Sequence, residues 1–155
     1  MENTNRILDV ITEISRLERT VALLYSTCAK TYPKTEDLWK KLETEERNQV
    51  KYVEQILDQV KKEPEKFLPG RNFTARAVET VISGIEKYIS QIKNFEMPEK
   101  RAVSIAKDIE HSLLETNFFD VVSSSDKQFN TFIRTLASET KNHRDILDEQ
   151  MKQYM

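Results

Sequence analysis

Only two glycines and four prolines interrupt the 155 residues, so sharp reversals are few and a sheet-rich fold that needs many of them is excluded. A single cysteine, Cys28, excludes an intrachain disulfide and any four-cysteine iron or zinc module. It falls on an apolar stripe, which reads as a small buried side chain and not as a reactive thiol. No apolar run approaches the roughly 18 to 20 residues of a membrane span, and an N-terminus opening with Glu2 and Asn3 lacks a signal-peptide pattern. Neither charge sign dominates: 24 Lys and Arg against 26 Asp and Glu leave a net charge of −2, which gives no electrostatic reason to expect nucleic acid or an anionic membrane as partner. These absences predict a single all-α domain spanning residues 1–155, working in a reducing cytoplasm.

What the chain does contain is helical periodicity. Ile7, Ile11, Ile14, Glu18, Val21, Tyr25 and Cys28 alternate at spacings of four and three and predict a helix over about residues 3–31. Pro33 ends it, and Thr35 is placed to cap a second helix over 35–62. That helix carries the stripe Trp39, Leu42, Glu46, Gln49, Val53, Ile56 and Val60. Pro64, Pro69 and Gly70 then break the pattern. A connecting helix follows within residues 73–95, with Val78, Val81, Ile85, Tyr88, Ile92 and Phe95 on one face. Pro98 opens a helix expected to run to residue 122, with Val103, Ala106, Glu110, Leu113 and Asn117 inward. Ser125 with Gln128 reads as a capping box for a last helix over 126–152, striped by Phe129, Ile133, Leu136, Thr140, His143, Leu147 and Gln150. The architecture expected is an antiparallel four-helix bundle with one long crossover that contains an additional helix.

Three of these stripes place a carboxylate where an apolar residue belongs, and a buried carboxylate is costly unless something positive or hydrogen-bonding meets it. The two halves also repeat. Glu18 and Glu110 are lone positions on the first helix of each half. Glu46 and Gln49, like Thr140 and His143, are pairs three residues apart on the second helix. Four helices that offer one lone position or one such pair to a common interior have the layout of a bundle metal site. The bland alternative is that each acid sits at the edge of its helix face or pairs with a neighbouring Arg16, Arg19 or Arg47. His111 points away from the stripe and reads as solvated, and Tyr25 reads first as a core residue that can also donate to a carboxylate.

At this point the chain resembles the ferritin-like superfamily, and within it the rubrerythrin-like branch. The resemblance rests on Leu17 to Tyr25, Trp39 to Gln49 and Leu136 to His143. It implies six metal-ligand positions, at Glu18, Glu46, Gln49, Glu110, Thr140 and His143. Two depart from the family's pattern: Gln49 stands where a histidine is expected and Thr140 where a bridging glutamate is expected. Glu139 is an alternative to Thr140, but lies four residues before His143 instead of three. Glu46, Glu110 and His143 would still hold one metal, iron or else manganese or zinc, with Glu18 the weakest member. The resemblance therefore implies an iron-related oxidoreductase, or a protein that handles iron or peroxide, at a reduced site. An external protein would have to serve as electron donor. The alternative is a metal-free helical bundle that acts as an assembly or partner-binding module. In either case the apolar crossover helix is expected to form a homodimer interface.

Overall fold

The computed structural model describes residues 2–70, 74–115 and 122–154. Within them are five α-helices: α1 (Glu2–Thr31), α2 (Glu36–Lys62), α3 (Ala75–Lys93), α4 (Glu99–Glu115) and α5 (Lys127–Met151). Two short strands, β1 (Phe67–Pro69) and β2 (Val122–Ser124), complete the described elements apart from single 3₁₀ turns at 33–35, 64–66 and 152–154. The chain is therefore mostly helical, as its composition requires. No described helix is long and apolar enough to cross a membrane.

Contacts along the helices show how they are laid. Arg19 of α1 pairs with Glu54 of α2, and Tyr25 stacks on Trp39 with ring centroids 5.7 Å apart, so these two helices run in opposite directions. The same opposition holds for α1 and α4, where the Tyr32 hydroxyl donates to the Met97 carbonyl at 2.7 Å and Tyr25 reaches Glu110. It holds for α4 and α5 through Lys107 and Asp148 at 2.8 Å and Glu110 and His143. It holds again for α2 and α5 through Gln59 and Asp126 at 3.2 Å and Glu46 and His143. The end of α2 thus lies beside the start of α5, whereas α4 starts beside the end of α1. The 19 residues of α3 span about 28 Å at the α-helical rise, and carry the chain back along α1, on which α3 packs.

The inward stripes are those the periodicity predicts. Ile7, Ile11, Ile14, Leu17, Val21 and Leu24 of α1 join Trp39, Leu42, Val53, Ile56 and Val60 of α2, Val103 and Ala106 of α4, and Phe129, Leu136 and Leu147 of α5 in one core. The structure corrects four details. The fourth helix does not reach Val122, because residues 122–124 pair antiparallel with residues 67–69, Phe67 opposite Ser124 and Pro69 opposite Val122. Asn117 and the intervening stretch lie outside the described residues. Thr35 makes no capping bond; its hydroxyl accepts from the Trp39 indole at 2.9 Å and donates to Glu99 at 2.5 Å. The cap of α5 is Asp126 and not Ser125, for the Asp126 carboxylate accepts from the Phe129 amide at 3.0 Å, and this holds its pKa below the usual carboxylate range.

The fourth correction concerns α3. Val78, Ile82, Ile85 and Ile92 are buried, so α1 covers most of the stripe and only Val81, Tyr88 and Ile89 are left partly buried. Phe95 does not continue that face. Helix α3 stops at Lys93, and Phe95 adopts a left-handed φ of 59° with its side chain 80% exposed. The Phe95 amide donates to the Ile92 carbonyl and the Glu96 amide to the Gln91 carbonyl, the paired bonds of a Schellman C-cap. Glycine normally holds that position because a Cβ there is strained. Phe95→Gly is accordingly expected to raise the unfolding free energy by about 1 kcal/mol; urea denaturation measures it, and an unchanged or lower midpoint would contradict the strain.

Candidate metal centre

Glu18, Glu46, Glu110 and His143 come from four different helices, and each is at most 1% exposed. Their burial follows from the stripes: each takes a core position on its helix, Glu18, Glu46 and Glu110 with apolar residues one turn before and after, and His143 with Thr140 one turn before it and Leu147 one turn after. Glu46, Glu110 and His143 each present a potential ligand atom, and these atoms lie within 4.8 Å of one another. His143 Nδ1 is 3.1 Å from Glu46 Oε1 and 3.6 Å from Glu110 Oε1. Among the described residues these three form a group that can hold a metal ion, and no ligand outside the protein has to be invoked to bring them together.

The remaining candidates are distributed around this group. Glu18 is not one of the three, but it hydrogen-bonds Glu46. Gln49 is fully buried, and neither of its amide atoms finds a partner. Thr140 is buried too, yet its hydroxyl donates to the Leu136 carbonyl of its own helix at 2.9 Å, the local bond that threonine commonly makes in a helix. It brings no charge to the interior. Glu139 is only half-buried and stays outside the group of three, so the alternative register is not taken up. His111 is exposed, as its place beside the stripe predicts, with Nδ1 3.5 Å from Arg144. Burial pushes the Cys28 thiol up to about 12, which leaves it a protonated core residue.

Two contributors are hard to read from sequence. The Tyr25 hydroxyl donates to Glu110 Oε1 at 2.5 Å; burial, followed by the charges of Glu110 and Glu46, raises its pKa well above the phenol range and keeps it a donor. Its place on the inward stripe, two turns past Glu18, marks it as a donor to some carboxylate but does not say that the carboxylate is that of Glu110. The second is Glu45, half-buried, whose Oε2 lies 3.1 Å from His143 Nε2. Nothing in the periodicity marks it, since it is offset from the inward face that Glu46 occupies.

The electrostatics follow from the crowding of acids in a dry interior. Burial raises the pKa of Glu46 well above the ordinary 4.5, and the charges of Glu18 and Glu110 raise it further. Burial also raises Glu18, partly offset by its hydrogen bond with Glu46. For His143, burial lowers the pKa, but Glu110, Glu45 and Glu18 outweigh it and the net direction is upward from 6.5.

The donor set fits a cation. One oxygen of each of Glu18, Glu46 and Glu110 is buried without a hydrogen-bond partner, and buried polar atoms in native proteins are rarely left so. Two carboxylates and one imidazole are ligands that borderline divalent ions such as Fe²⁺, Mn²⁺ and Zn²⁺ accept.

The raised values give a pH dependence with a definite sign. Groups whose folded pKa exceeds the unfolded value contribute stability that is present below the unfolded pKa and lost as pH rises through the folded one. For Glu18 and Glu46 the loss begins above 4.5, and for His143 above 6.5. In the presence of chelator the unfolding free energy is expected to fall as pH rises from about 5 to 8, and Glu46→Gln to flatten that slope. Urea titrations across the range decide it; a stability that rises with pH in the wild type would contradict the assignment.

Comparison of the chain with family models, with curated proteins and with solved structures gives no match.

Proposed function

We propose that α1, α2, α4 and α5 form a ferritin-like four-helix bundle whose interior binds a single divalent transition metal, for iron-related oxidoreductase chemistry or the handling of iron or peroxide. The observation that carries the reading is the convergence of Glu46, Glu110 and His143 within 4.8 Å at sites closed to solvent. One ion is favoured over two because the positions that a second would need are neutral. Gln49 offers an amide, and Thr140 turns its hydroxyl to Leu136. Iron supplies the redox chemistry when it is bound. The chain's own residues exclude water, and Tyr25 fixes one oxygen of Glu110 so that the carboxylate is oriented before any ligand arrives. With one cysteine in the chain, electrons have to come from another protein, and a cytoplasmic setting supplies both a reductant and divalent metal.

Protein stripped with chelator and then equilibrated with Fe²⁺, Mn²⁺ or Zn²⁺ is expected to take up about one ion per chain, as a single two-carboxylate, one-histidine site requires. His143→Ala should abolish uptake, whereas Gln49→Ala should change it little. Elemental analysis after gel filtration reads the outcome. If the wild type retains none of the three metals, the better account is a metal-free bundle that serves as an assembly or partner-binding module. That second reading draws on a specific observation, the self-satisfaction of the cluster through the Glu18–Glu46 hydrogen bond and the Tyr25–Glu110 hydrogen bond.

Association of two copies through α3 is proposed on the residues that the core covers only in part, Val81, Tyr88 and Ile89, together with the exposed Phe95 beside them in sequence. An aromatic residue kept exposed on a strained backbone is one that a partner would account for. Light scattering at high micromolar concentration should return a dimer, and Tyr88→Glu a monomer; a monomeric wild type would remove the proposal.

A further inference from the structure

The imidazole of His143 is held between two successive carboxylates of one helix. Nδ1 lies 3.1 Å from Glu46 Oε1, and on the opposite edge of the ring Nε2 lies 3.1 Å from Glu45 Oε2. Neighbouring residues of an α-helix diverge by about 100°, so Glu46 points into the core and Glu45 stays at its margin, with a side chain 32% exposed. The ring, itself 1% exposed, fills the space between them. Glu45 Oε2 and His143 Nε2 are both buried, and neither has a hydrogen-bond partner elsewhere; at 3.1 Å they are close enough to pair but are not yet aligned as a hydrogen bond, so a small rotation of either side chain completes it. A neutral imidazole carries one N–H. Placed on Nε2, that hydrogen lies on the side of the ring nearest the Glu45 carboxylate and leaves the Nδ1 lone pair facing Glu46 and Glu110. Placed on Nδ1, it would block the position that a cation must share with those two oxygens and turn the Nε2 lone pair toward an anionic oxygen.

We propose that Glu45 is a positioning residue for the metal centre: it accepts the Nε2–H of His143, which fixes the tautomer and ring orientation that present Nδ1 to a divalent cation. The inference rests on the single-metal reading of the same site. Glu45 does not ligate the ion, and it acts through His143. Outer partners that orient a ligating histidine in this way are worth about 10- to 100-fold in metal affinity.

The test uses the full chain and Zn²⁺, a diamagnetic probe, with a competing chelator indicator for affinity. Glu45→Ala is expected to weaken Zn²⁺ binding about 10- to 100-fold, while Glu45→Gln, whose amide oxygen can still accept the Nε2–H, retains most of the affinity. The chain has two histidines, so a long-range ¹H–¹⁵N spectrum of ¹⁵N-histidine protein is readily assigned, with exposed His111 as reference and Glu45→Gln as a second, near-isosteric sample. In Zn²⁺-loaded wild type it should show His143 protonated at Nε2 and metal-bound at Nδ1. Wild-type affinity in Glu45→Ala, an equal loss in Glu45→Gln and Glu45→Ala, or metal on Nε2 each overturns the role of Glu45 while leaving the metal site standing. Failure of the wild type to bind Zn²⁺ overturns the site and this role together.

Discussion

The interior of this chain is governed by the cost of keeping three carboxylates, Glu18, Glu46 and Glu110, out of water. An isolated buried carboxylate does not stay charged; it is neutralised or paired. Each of the three is met by something specific: Glu18 by Glu46, Glu46 by His143 and Glu110 by Tyr25. These contacts join α1 to α2 and to α4, and α2 to α5, with apolar layers above and below. A one-residue slip of any helix would replace a satisfied acid by an unsatisfied one, so the polar level fixes the register that the apolar layers alone would leave loose. Specification of this kind is not the same as stability. Replacing buried ionic groups with apolar residues of similar volume is often neutral or stabilising, which makes four such residues in a chain of this size hard to explain by folding alone.

Much of this was legible in the sequence because the dominant force has a period. Burial of the apolar face selects positions three and four apart, and Glu18, Glu46, Glu110 and His143 fall on that lattice as plainly as their leucine and isoleucine neighbours. The same logic read Gln49 and Thr140 as inward, and both are buried. Features without a period were not legible. The pairing of Phe67–Pro69 with Val122–Ser124 uses segments too short for an alternating pattern to stand out, and their partnership depends on where α2 ends and α5 begins in space. The competition between Ser125 and Asp126 for the cap of α5 was decided by backbone geometry: the Asp126 carboxylate reaches the Phe129 amide. Thr35 was lost as a cap to the Trp39 indole and Glu99, partners that only the tertiary fold supplies. The partner of Tyr25 and the place of Glu45 are not legible for a related reason, since they depend on which atom of another helix each side chain reaches.

Two of the six candidate positions, Gln49 and Thr140, are neutral, and both act in the same direction. The pair on α2 keeps its carboxylate, Glu46, and has a neutral amide at Gln49. The pair on α5 keeps its imidazole, His143, and has at Thr140 a hydroxyl already engaged with Leu136. The groups that can bind a cation are therefore not spread evenly about the interior. They gather where α2, α4 and α5 meet, with Tyr25 and Glu45 bearing on that corner from either side, and Gln49 is left with two unpartnered amide atoms. A neutral amide repels neither an ion nor a polar molecule, but it cannot compensate a second divalent charge. In the proposed metal centre the asymmetry would favour one ion at one corner over two ions sharing the interior, and it makes His143, flanked by carboxylates on both edges of its ring, the side chain on which that proposal most depends.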